Sequence, residues 1–105
     1  MAEQFQNVTV TAKANIFFDG KVVSHTLHLS DNSKKSLGLI YPGLFKFNVN
    51  TSEKMEIIAG NCRVRIGADG AWQDFVAGTF FDVPAGSFFE ISVADGMVEY
   101  ICSFA

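Results

Sequence analysis

The sequence predicts an all-β domain, a sandwich or barrel built from short strands. Three observations carry this reading. Short apolar runs are punctuated by Gly or Pro roughly every ten residues. The 105-residue chain is 49% hydrophobic and holds 11 Phe, which suits a wide, aromatic-lined β interior better than a helical bundle. Helical periodicity is absent, apart from a short turn expected near Ser52–Met55.

The elements follow in order. Val8, Val10, Ala12 and Ala14 alternate with Thr9, Thr11 and Lys13, the period-two pattern of a half-buried strand. Asn15 to Phe18 continues the run to Asp19-Gly20, a tight-turn signal. Lys21 to Leu29 forms the next strand, Ser30 to Lys35 a polar loop, and Leu37 to Tyr41 another strand. Pro42-Gly43 turns the chain into the alternating Leu44 to Val49, and Asn50-Thr51-Ser52 connects onward. Met55 to Ala59 ends at Gly60-Asn61; Cys62, Val64 and Ile66 then alternate with Arg63 and Arg65 up to Asp69-Gly70. Trp72 to Val76 precedes Gly78 and an apolar run to Pro84. Pro84-Ala85-Gly86 supplies the fixed φ and the permissive φ of a turn. Phe88 to Val93 and Val98 to Phe104, separated by Asp95-Gly96, complete the set. Residues 1–14 read as an N-terminal strand or extension and 15–105 as a single barrel domain, near the smaller end of sizes that bury a real core.

Composition excludes several function classes. A net charge of −3 without a basic run argues against nucleic acid or an anionic membrane as partner. A local phosphate site stays open, since an anion needs only a few aimed donors. The start of the chain lacks a charged-then-apolar leader pattern, and no apolar run reaches spanning length, so a cytoplasmic location is expected. Cys62 and Cys102 sit within apolar alternation and read as buried thiols without a neighbouring base.

The spacing from Gly78 to Phe89 (Gly, five residues, Pro, one residue, Gly, two residues) resembles the second motif of the cupin superfamily. That resemblance implies a double-stranded β-helix, or jelly-roll barrel, and raises the question of a metal. In metal-binding cupins the position of Phe89 holds a histidine ligand. The first motif places its glutamate on Glu53, with six residues between it and Gly60, and its two histidines on Phe47 and Val49. One of four expected ligands survives, whereas a transition metal generally needs three or four. His25 and His28 lie at an odd separation and face opposite sides of a strand. No metal site is expected.

In the cupin register Glu53 is a carboxylate in aromatic company with Phe47, Val49 and Phe89. It is the candidate catalytic group, as general acid or as ligand to sugar hydroxyls; its structural alternative is a turn cap, or a pair with Lys54 or Lys46. Phe47 and Phe89 either stack on a flat heterocycle or pack the core. Ser87 either holds an anion after the turn or stabilises the turn itself. Lys21 is a second candidate anion contact. Arg63 and Arg65 form a phosphate clamp, stand as solvated-face arginines, or partner acidic residues across a subunit interface.

The ordered series Phe17-Phe18-Asp19-Gly20-Lys21-Val22, Leu44-Phe45-Lys46-Phe47-Asn48, Glu53 to Gly60, Trp72, Val83 to Phe89 and Tyr100-Ile101-Cys102 resembles the small cupins called pyrimidine/purine nucleoside phosphorylases. The likeness spans about residues 15–105. It implies phosphorolysis of nucleosides to free base and α-D-ribose 1-phosphate, with inorganic phosphate as co-substrate, no cofactor, and a homodimer as small cupins commonly form. Glu53 is then the catalytic candidate, with Phe47, Phe89, Ser87, Lys21 and Tyr100 as substrate contacts. A non-catalytic binder of a small heterocyclic or apolar ligand, and a nucleoside hydrolase, are the rival readings.

Overall fold

A computed structural model describes residues 3–105. Among these residues eleven strands make two antiparallel sheets: β1 (Thr9–Val10), β2 (Asn15–Phe17), β3 (Val22–His28), β4 (Lys34–Ile40), β5 (Gly43–Asn48), β6 (Glu53–Ala59), β7 (Asn61–Ile66), β8 (Gln73–Val76), β9 (Phe80–Val83), β10 (Phe88–Val93) and β11 (Val98–Phe104). The larger sheet runs β1-β3-β4-β11-β6-β9, and the smaller β5-β10-β7-β8. β2 shares the outer edge of β3 with β1, pairing Asn15 with Ser24 while β1 pairs Thr9 with His28. This is the cupin architecture, two sheets face to face around one core. No helix among the described residues is long and apolar enough to cross a membrane.

Alternation decides which residues meet inside. Val22, Ile40, Ile57 and Val98 from the larger sheet face Phe45, Val64, Phe89 and Ile91 from the smaller, all in the buried cluster. An aromatic file runs from the exposed Phe18 into this interior. Phe18 meets Phe47 at 5.4 Å between centroids, Phe47 meets Phe89 at 5.3 Å, Phe89 meets Phe81 at 5.4 Å, and Phe81 meets Phe75 at 5.0 Å. Five of the eleven phenylalanines are thereby engaged in ring packing, each such contact worth about 0.5–1.5 kcal/mol beyond its buried area. Both cysteines are free and buried, and burial pushes the Cys62 thiol up to about 11.

Four local expectations change. The Val8–Ala14 alternation yields only the two-residue β1, because its faces stay exposed and have nothing to cover. Asp19-Gly20 is a 3-10 turn over Phe18–Gly20 rather than a two-residue hairpin. Ser52–Met55 forms no helical turn; Glu53 and Lys54 already belong to β6, where Glu53 pairs with Val83 and Phe104. Lys34 and Lys35, expected in a loop, open β4 opposite His28 and Leu27.

Candidate functional site: a mixed cleft between the sheets

A cleft of about 310 Å³ opens between the two sheets, within the range typical of small-molecule sites. Strand register assigns its walls. Asn15 on β2, Ser24 and Thr26 on β3, Ser36 on β4 and Tyr100 on β11 give one side hydroxyl and amide groups. Phe17, Phe47 and Phe89 give the other an aromatic surface, with Asn48 beside them. Glu53, Cys102, Lys34 and Phe104 complete the remaining side. Glu53, Phe47 and Phe89 are thus brought together with Tyr100, whereas Val49, expected to converge with them, does not line the cleft.

The polar wall is internally tied. Asn15 Nδ2 donates to Ser24 Oγ at 3.3 Å and Thr26 Oγ1 at 3.1 Å. The Tyr100 hydroxyl also engages Ser24, and burial pushes its pKa up to about 12. Room for that ring comes from Gly38: any Cβ there would lie inside the Tyr100 ring's contact distance. A glycine in mid-strand β4 marks this close approach.

Glu53 is half-buried and accepts a hydrogen bond from the Cys102 thiol, Sγ to Oε1 at 3.3 Å. Burial raises its pKa above the ordinary 4.5, while the Cys102 contact and the Lys34 charge pull the other way. Its oxygen in turn raises the Cys102 pKa, after burial itself, the larger cause. Neither Lys54 nor Lys46 pairs with Glu53. Lys54 lies 4.0 Å from Glu56, and Lys46 sits over the Phe88 ring at 4.3 Å. Among the described residues Lys34 is the one cation on the cleft wall, its Nζ 4.6 Å from the Phe104 centroid.

The other candidates lie elsewhere. Lys21 is exposed after the 3-10 turn, and Ser87 stands at the β9–β10 turn with its Oγ 3.5 Å from Phe88 O; neither lines the cleft. Val49 is a core residue behind the wall. Arg63 pairs with Asp74 at 3.3 Å, and Arg65 pairs with Glu90 beneath Trp72, so both serve as paired residues on the smaller sheet. His25 Nδ1 lies 3.2 Å from Thr11 O, and His28 is exposed. Among the described residues no group of three or more His, Cys, Asp or Glu is placed to hold a metal ion.

Asn15, Ser24, Thr26, Ser36, Lys34 and Asn48 did not emerge from the sequence. Ser24 and Thr26 share a strand face with buried Val22, and polar residues on an inward face are the available signal. Lys34 gave none, since it reads as loop.

Fold and cleft together define a cupin-type protein with an open cleft between its sheets, with phenylalanine and valine at three of the superfamily's ligand positions. The family model described as pyrimidine/purine nucleoside phosphorylase matches residues 12–104. A protein of Thiobacillus denitrificans bearing that name is 48% identical over 96% of this chain and 97% of its own. A crystal structure from Acinetobacter sp. ADP1, described as a protein of unknown function, superimposes with a TM-score of 0.93 at 39% identity. It covers 97% of this chain and 98% of its own. Bacillus subtilis oxalate decarboxylase shares the fold alone, with a TM-score of 0.74 at 15% identity over 97% of this chain and 30% of its own. The chain belongs to the pyrimidine/purine nucleoside phosphorylase family.

Proposed function

We propose that this protein is a nucleoside phosphorylase. It converts purine and pyrimidine nucleosides plus inorganic phosphate to free base and α-D-ribose 1-phosphate. The observation that supports this best is one cleft carrying a lone carboxylate, one lysine, a hydroxyl wall and an aromatic wall, in a chain whose relatives bear that name.

The reaction moves few atoms. A phosphate oxygen bonds to the anomeric carbon, the N-glycosidic bond breaks, and the base leaves with that electron pair and takes up the proton that phosphate gives up. Holding phosphate beside the sugar removes an entropic barrier, and Lys34 is the cation we assign to it. Lys21 and Ser87 lie off the cleft, so their part as anion contacts is confined to approach from outside it. The ribosyl group gains positive charge as the bond stretches, which favours the Glu53 carboxylate nearby. Ser24, Thr26 and Tyr100 offer partners to sugar hydroxyls. An apolar slot discriminates weakly among flat rings, which suits breadth of base.

The positions that hold metal ligands elsewhere in the superfamily carry Phe47, Val49 and Phe89, so we infer a reaction without a metal cofactor. Free thiols at Cys62 and Cys102 accord with a reducing, cytoplasmic setting. We also infer a homodimer, supported by the apolar row of Ile16, Val23 and Leu39 across the outer side of the larger sheet.

The test is base release from uridine or adenosine with and without phosphate, repeated after treatment with a chelator. Release that requires phosphate and survives chelation is expected. Release without phosphate would establish a hydrolase instead, and no release at high protein concentration would leave a binding protein.

A further inference from the structure

We infer that the ring on which the nucleobase lies is Phe17, and that the 3-10 turn after it exists to hold that ring over the cleft. This rests on the nucleoside reading above and adds a base-binding residue to it.

The two phenylalanines suggested by sequence are already engaged with each other. Phe47 and Phe89 are register partners on β5 and β10, stacked at 5.3 Å with their planes 20° apart. A base between them would need rings roughly 7 Å apart, twice an ordinary carbon contact. Phe89 is only 2% exposed, its ring against Phe81 as well. The pair forms the back of the cleft.

Phe17 differs. It lines the cleft yet is 45% exposed. Among the described residues its aromatic neighbour is Phe47, which meets it edge-on at 6.1 Å and 81°, so no stacked ring occupies a face of Phe17. Register on β2 places it two residues from Asn15, on the side where Asn15 ties to Ser24 and Thr26. A base on Phe17 would therefore hang its sugar toward the hydroxyl wall.

The backbone beyond Phe17 is held in an unusual state. Phe18 has φ 53° and Asp19 φ 56°, and Gly20 follows at 90°. Two successive non-glycine residues in the left-handed region are disfavoured, a bulky aromatic most of all. Packing maintains them: the Phe18 ring sits 5.0 Å from Phe45 and 5.4 Å from Phe47, and Lys21 N donates to Phe18 O at 3.2 Å. Phe18 thus acts as the anchor and Phe17 as the free platform.

The experiment is calorimetric titration of adenosine into the protein in phosphate-free buffer, where phosphorolysis has no co-substrate, using wild type, Phe17→Leu and Phe17→Trp. The leucine keeps apolar bulk without an aromatic face, and thermal melts confirm folding. Phe17→Leu is expected to weaken binding roughly tenfold, within the span measured for base–aromatic stacking, while Phe17→Trp binds at least as well as wild type. Affinity of Phe17→Leu within about twofold of wild type overturns the assignment. So does an equal loss in both variants, which would make the role one of shape, or wild type that binds no adenosine. Wild type that binds adenosine but never releases adenine with phosphate sinks the phosphorylase reading and leaves this one standing.

Discussion

Glu53 is pulled two ways at once. Burial favours its neutral form, while the Cys102 thiol and the Lys34 charge favour its anion, and burial wins. A glutamate with a raised native pKa binds its proton more tightly when folded than unfolded. Its contribution to stability therefore improves as pH falls through the native pKa toward 4.5, and worsens as pH rises. Glu53→Gln, which keeps an oxygen acceptor for Cys102, should be at least as stable as wild type at neutral pH, the difference closing on acidification in parallel melts. Activity should behave oppositely. If the ionised form stabilises the ribosyl charge, kcat falls on the acid side with an apparent pKa above 4.5, and Glu53→Gln loses about tenfold or more, equivalent to ~1.4 kcal/mol of barrier. An acid limb unchanged in the variant would remove Glu53 from the chemistry. The residue was legible in sequence because a motif glycine, Gly60, fixed its position. Its partners were not, since Lys34 and Cys102 reach it only through pairing across three strands.

At the level of strands, the close approach of β4 and β11 is the most exacting contact around the cleft. Tyr100 and Gly38 are register partners, and the buried ring lies where a side chain on β4 would stand. Gly38→Ala should overpack this site and cost about 1–3 kcal/mol, read as a lowered Tm, and should displace the Tyr100 hydroxyl from Ser24. A variant as stable as wild type would show that the ring has somewhere else to go. The alternating runs of β3, β7 and β11 were readable because one face of each is apolar. The starts of β4 and β6 were not, because Lys34, Lys35, Glu53 and Lys54 are strand residues only by virtue of the neighbours they pair with. The left-handed pair Phe18-Asp19 was hidden for a related reason. The sequence shows a turn, and only the surrounding rings show which one.

Across the whole molecule, the inward faces build the core and cleft, while the outward faces are uneven in character. The smaller sheet carries Arg63, Arg65, Lys46 and Glu90 in paired or ring-covered positions. The larger exposes Ile16 at 65% and Leu37 at 37%, next to the row through Val23 and Leu39, an apolar patch of the sort that subunits cover. Ile16→Lys should abolish the proposed homodimer, read as a monomer mass in light scattering with melting behaviour otherwise preserved; a dimer mass kept by the variant would place the contact elsewhere. Gly60, at φ +84° with the Met97 carbonyl against it, closes the β6–β7 turn that brings the two sheets together. The stacked Phe47 and Phe89 rings bear on redesign. Each supports the aromatic file of the interior, so an imidazole placed at either position gives up ring packing before it can bind anything. No single replacement builds a coordination sphere here. A designer who wants an ion in this barrel has to rebuild the back of the cleft as a unit.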